Sequence, residues 1–91
     1  MPHFVYMLRC EGGRIYTGYA VDVPARFKQH SEGKGAKFTR SFKPLCILRQ
    51  FELPTLSEAL RLEAQIKKLP RRKKEEIALG HLGPPQITGH P

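Results

Sequence analysis

Apolar and polar positions along the chain separate into short segments of two different periods. "HFVYMLRC" near the N-terminus is β-branched and aromatic and predicts a strand, and "RIYTGYA" predicts a second. Between them "EGG" makes a hairpin. A two-residue Gly-Gly loop would put Tyr6 and Tyr16 on opposite faces. A three-residue loop, Glu11 to Gly13 with Gly13 left-handed, pairs Tyr6 with Gly18 and Leu8 with Tyr16, so that the two tyrosines share a face. The three-residue loop is the expectation here. Asp22 is suited to cap a helix with Pro24 in its first turn, running to about Ser31 and stopping at "EGKG". Val23 and Phe27 supply its core face, flanked by Arg26 and His30, four residues apart. "GKGAKFTRSFKP" reads as a basic loop, and "LCILRQFEL" as a third strand. A helix from Leu56 to near Pro70 and a short helix over "RRKKEEIALG", closed by Gly80, complete the pattern. The tail from residue 80 to 91, with three prolines, is expected to be flexible. The order β-β-α-β-α-α over residues 1–79 predicts one small α/β domain, three strands with helices packed against them.

The second helix carries one misplaced residue. Leu56, Ala59, Leu62, Ile66 and Leu69 form an apolar stripe; with Ala59 at zero and about 100° per residue it spans roughly 280° to 60°. Glu63 falls at about 40°, inside the stripe. A carboxylate taken out of water costs several kcal/mol unless it is paired or holds a metal. Three explanations stand: an ion pair with Lys67, one turn on, a place at the edge of the core, or a cation met in a wet cleft.

Composition narrows the partners. Sixteen Lys and Arg against eight acids leave a net charge of +8, which points to a polyanion. Two cysteines, Cys10 and Cys46, are too few for a disulfide framework and lack metal-ligand spacing; both are expected to be small buried hydrophobes in a reducing cytoplasm. Neither a signal-peptide pattern nor an apolar run of membrane-spanning length is present, so a cytoplasmic protein without a membrane partner is expected, monomeric by default.

Tyr6, Tyr16, Arg26, His30 and Glu63 are the candidate chemical groups. Against a phosphodiester each has a use. A carboxylate can hold Mg²⁺ or Mn²⁺, which keep most of their waters. A guanidinium offers a planar fork to phosphate oxygens. A tyrosine or histidine can orient a water or take its proton. Lys67, Lys68, Arg71, Arg72, Lys73 and Lys74 place six positive charges in eight residues, and Lys34, Lys37, Arg40 and Lys43 add a basic loop. Such groups give salt-dependent, sequence-independent phosphate binding. Phe38 and Phe42 are either core or a stacking surface for an unpaired base.

"VYMLRCEGGRIYTGYAVDVPARFKQH" closely resembles the opening of GIY-YIG nuclease domains, above all their short stand-alone bacterial branch. Tyr6 and Tyr16 stand in the two signature triplets, and "GKGAKFTR" and "SEALRLEAQIKKL" also match that branch. The resemblance spans roughly Phe4 to Ala78. It implies a three-stranded antiparallel sheet flanked by helices and metal-dependent phosphodiester hydrolysis of DNA. It also implies that Glu63 is the metal-binding glutamate, the ligand for Mg²⁺ or Mn²⁺, and that Arg26 contacts phosphate. Tyr6 and Tyr16 would be the motif tyrosines, one of which helps activate water, and His30 matches a histidine of that helix. Val5-Tyr6-Met7 keeps only the tyrosine of the first triplet, and Thr17 replaces the middle residue of the second. Larger relatives add domains that choose the DNA site, so weak sequence specificity is expected, in repair or processing.

Two other readings compete. Some larger relatives carry a late asparagine and this chain has none, which makes a catalytically inactive basic nucleic-acid-binding module the alternative. Charge alone would also suit an accessory protein docked on an acidic partner or on ribosomal RNA.

Overall fold

The computed structural model describes residues 2–85. Strand β1 (His3–Cys10) leads through one tight turn into β2 (Arg14–Ala20), then helices α1 (Val23–Ser31) and α2 (Lys37–Ser41), strand β3 (Pro44–Leu53), and helices α3 (Leu56–Lys68) and α4 (Arg71–Ala78). The sheet is antiparallel in the order β2-β1-β3.

The hairpin has the expected three-residue connection. Gly12 and Gly13 both take positive φ, 76° and 72°, which a side chain would resist. Tyr6 therefore pairs with Gly18 and Leu8 with Tyr16. The Glu11 carboxylate accepts from the Lys43 amide at 3.0 Å, and the Glu11 amide donates to the Lys43 carbonyl at 2.9 Å, tying the turn to the start of β3.

Asp22 caps α1 by accepting from the Ala25 amide at 3.0 Å. Thr55 caps α3, accepting from the Glu58 amide at 3.1 Å while its hydroxyl donates to the Glu58 carboxylate. Side chains alternate along the central strand, so β1 feeds two cores. Val5 and Met7 pack with Ala59, Leu62, Ile66, Ile77 and Ala78 of α3 and α4. Tyr6, Leu8 and Cys10 face the other way, toward Val23 and the rings of Phe27, Phe38 and Phe42.

Three expectations need correction. The Gly-rich basic stretch is not all loop: Lys37–Ser41 forms α2, because Phe38 and Phe42, four residues apart, bring their rings together, with Phe38 stacked on Tyr16. Cys46 is exposed on the edge strand β3; only Cys10 is buried. Leu56 is 45 % exposed, since it opens α3 beyond the reach of the core. At the other end of that region, Gly80 closes α4 at φ 82°, and the Arg49 guanidinium donates to the carbonyls of Ile77 (2.7 Å) and Leu82 (3.1 Å). Residues 86–91 of the expected tail lie outside the described residues. Among those described, no helix is long and apolar enough to cross a membrane.

Candidate active site

Tyr6 stands on the central strand with 1 % of its surface exposed, and its hydroxyl lies 2.7 Å from His30 Nε2. His30 lies in the last turn of α1 and is also buried. Its Nδ1 meets the Thr39 hydroxyl at 2.7 Å, and that hydroxyl donates to the Ala36 carbonyl at 2.9 Å. A hydroxyl has one proton to give. With that proton on the carbonyl, Thr39 accepts from Nδ1–H, and Nε2 is left to accept from the Tyr6 O–H. The Ala36 amide, 3.4 Å from Nδ1, would need the opposite tautomer, but it is the longest contact of the set and yields to the two shorter ones.

Two glycines make room for this chain of bonds. A Cβ on Gly35 would overlap the His30 imidazole, and one on Gly18 would overlap the Tyr6 phenol and press on Tyr16. A Gly18→Ala variant is expected to lose about 1–3 kcal/mol by overpacking, read by urea denaturation; unchanged stability would mean that the phenol has other room to move. Thr17, between Tyr16 and Gly18, points to the opposite core, where its buried hydroxyl has no hydrogen-bond partner among the described residues. The middle of the second triplet is therefore outside the site.

Tyr16 completes the group. Its ring lies 6.3 Å from Tyr6 and 5.1 Å from His30, edge-on, and stacks on Phe38 at 5.8 Å. Arg26, exposed one turn before His30, lies close enough to act on the Tyr6 phenol. The Glu63 charge also acts on it. α3 lays its stripe in the core with Val5 and Met7, β2 is an edge strand, and Lys67 at the end of α3 still reaches Tyr16. Lys67 Nζ stands 5.6 Å over the Tyr16 ring and 3.1 Å from the Glu63 carboxylate, whose side chain is 19 % exposed. The fold thus brings the other four candidates to the Tyr6 phenol, and Glu63 does pair with Lys67.

Burial pushes the Tyr6 phenol well above its usual range, helped by Tyr16 and Glu63 and opposed by Arg26. Burial, and after it the Arg26 charge, lower His30 below the ordinary histidine value. Neutral His30 is favoured in the fold, whereas the unfolded chain takes up a proton near pH 6.5. Its contribution to stability is therefore complete above that pH and lost as pH falls below it. Denaturant titrations carried downward from about pH 6.5 should show this loss in the wild type, and a flatter profile in His30→Gln; equal slopes would contradict it.

Among the described residues no group of three or more His, Cys, Asp and Glu could hold a metal ion. Glu63 alone does not suit a tetrahedral zinc site. One carboxylate does fit Mg²⁺ or Mn²⁺, which take one or two protein oxygens and complete their shells with water and substrate phosphate.

The expected nucleic-acid contacts divide. Lys37, Arg40 and Lys68 are exposed. Lys34 lies 3.9 Å from Glu32, and Arg72 3.7 Å from Glu76, both well exposed and weakly held. Arg71 donates to the Gly13 carbonyl at 3.0 Å, so part of its work is docking α4 on the hairpin. Arg9 and Glu75 form a second such tie, and the Arg9 hydrogen bond holds the Glu75 carboxyl below the usual range. Sequence reasoning missed Gly35 and Thr39, which position His30. The signal was present in "GKGAKFT", a glycine and a hydroxyl at fixed offsets in a segment read only for its charge.

A hairpin with two tyrosines on one face, an Arg/His helix and a glutamate-bearing helix surround the candidate site. Residues 2–76 match the GIY-YIG catalytic domain, and the chain belongs to the GIY-YIG family. It is 44 % identical to the UPF0213 protein BH0048 of Halalkalibacterium halodurans, covering 97 % of this chain and 94 % of that one. It is 51 % identical to a UPF0213 protein of Cupriavidus pinatubonensis over 78 % of this chain and 79 % of the relative. The solution structure of BH0048 superposes with a TM-score of 0.58 at 45 % identity, covering 92 % of this chain and 89 % of that one. That of EF2693 from E. faecalis superposes at 0.61 and 31 % identity, covering 99 % and 96 %.

Proposed function

We propose that the chain is a small cytoplasmic endonuclease that uses Mg²⁺ or Mn²⁺ to hydrolyse phosphodiester bonds of DNA, with little sequence preference, in repair or processing. The observation that carries this reading is the buried Tyr6–His30 hydrogen bond set between a guanidinium and a carboxylate. The exposed Arg26 fork takes non-bridging phosphate oxygens. Glu63 holds the cation, which when bound polarises a phosphoryl oxygen and offsets developing charge. Tyr6 takes a proton from the attacking water while its own passes to His30 Nε2. Neither group then has to stand charged and buried before substrate arrives. Tyr16 lines the same floor, and Lys67 transfers from Glu63 to the incoming phosphate.

The test is labelled double-stranded, single-stranded and branched DNA incubated with Mg²⁺, Mn²⁺ or EDTA. Strand breakage is expected only with a divalent metal and should fall with added salt. One observation favours the inactive binding module instead: Lys67 already satisfies Glu63. Salt-sensitive binding without breakage under either metal would establish that reading and remove the nuclease one.

A further inference from the structure

A cleft of about 210 Å³ opens beside the tyrosine pair, lined by Arg14, Ile15, Phe38, Arg71 and Lys74. Three of these five residues are cations and none is an acid. The acids of α4 are engaged elsewhere, Glu75 with Arg9 and Glu76 with Arg72. Arg14 lies over the Phe42 ring at 3.9 Å, and Arg71 spends one donor on the Gly13 carbonyl. A guanidinium has five donors, so most of the Arg71 fork is unspent. Lys74 is half-buried and makes no ion pair among the described residues. Like charges gathered on a partly desolvated wall repel one another and favour an anion between them.

The rest of the lining, Ile15 and the Phe38 ring, is apolar. Phe38 borders the cleft and also stacks on Tyr16, so the cleft lies one ring away from the candidate site. Its volume is below the range of about 300–1,000 Å³ usual for drug-sized ligands and suits one small planar group. A base held inside a duplex cannot present its face to a protein ring; an unpaired one can.

We infer that this cleft is a nucleotide subsite, seating one unpaired nucleotide next to the phosphate at the tyrosines, its phosphate on Arg71 and Lys74 and its base against Phe38 and Ile15. The assignment rests on the nucleic-acid reading above but not on catalysis, and its test reads binding alone. A short fluorescent oligothymidylate and a duplex of equal length are titrated in EDTA across a salt series. Lys74→Ala should weaken single-strand binding and reduce the salt slope by about 0.7. Phe38→Leu, which keeps apolar bulk but removes the stacking face, should weaken the single strand roughly tenfold and leave the duplex unchanged. A 2-aminopurine strand should be quenched on binding the wild type and not on binding Phe38→Leu.

If Phe38→Leu fails to fold, the Lys74→Ala slope and the wild-type quench decide. An unaltered slope with no quench overturns the subsite while leaving nuclease activity standing. A wild type that binds neither strand overturns both.

Discussion

A Glu63→Gln variant should lose roughly a thousandfold or more in the rate of metal-dependent strand breakage while remaining folded. The substitution keeps size and shape, removes the charge and exchanges one acceptor oxygen for an NH₂ donor. Lewis-acid stabilisation of a phosphoryl transition state is worth several kcal/mol, and each 1.36 kcal/mol is about tenfold in rate. The stability cost should be small. The pair that is lost, Glu63 with Lys67, joins a mostly buried carboxylate to a half-exposed ammonium within one helix, and such pairs contribute about 0.3–0.5 kcal/mol. DNA affinity in EDTA should hold or rise, because a negative charge leaves the site and Lys67 is released. Initial rates on labelled DNA, with thermal unfolding alongside, measure both. Cleavage at the wild-type rate by Glu63→Gln, and likewise by Arg26→Ala, would remove the assigned site.

The second large effect is expected from Tyr6→Phe. The change deletes one oxygen from the floor of the site, and loss of a positioned proton acceptor typically costs about 10²–10⁴ in rate. It also leaves the Nε2 lone pair of a 2 %-exposed histidine without a donor, a penalty of about 1–3 kcal/mol. The two consequences separate by measurement. Single-turnover rates at a temperature where denaturation curves show the variant fully folded isolate the chemical loss, and full activity there would assign Tyr6 a packing task only. At alkaline pH the stability difference should narrow. The wild-type phenol, its pKa raised by burial, contributes stability that is complete below about pH 10 and is lost above it, and the variant has none of this to lose.

Much of the molecule was legible in local pattern. Two adjacent glycines between alternating apolar runs fix the hairpin, because only a residue without Cβ accepts positive φ cheaply. That one turn decides the register and so places Tyr6 and Tyr16 on one face. Asp22 and Thr55 declare the starts of their helices through hydrogen bonds within three residues, and the stripe Ala59, Leu62, Ile66 is buried as its period requires. The site was less legible. Glu63 could be singled out as misplaced on a helical wheel, but whether it met a lysine or the tyrosines depended on how α3 sits against the edge of the sheet. The aromatic pair Phe38 and Phe42 shows the same limit: their spacing permits a helix turn, and only contact with Tyr16 makes that turn stable.

The chain by itself determined what depends on neighbours a few residues apart: strand register, helix caps, the apolar stripe and the surplus of positive charge. Only the tertiary structure decided the rest. It placed α1 and α3 against different cores of a sheet whose edge strand β2 lets Lys67 reach Tyr16 and leaves the Glu63 charge acting on Tyr6. It buried His30 between Tyr6 and Thr39 and set its tautomer, and it left Arg14, Arg71 and Lys74 around one apolar cleft. The physical reason is that electrostatic fields, burial and cleft shape depend on distances in space between residues far apart in sequence, and those distances exist only once the helices have docked.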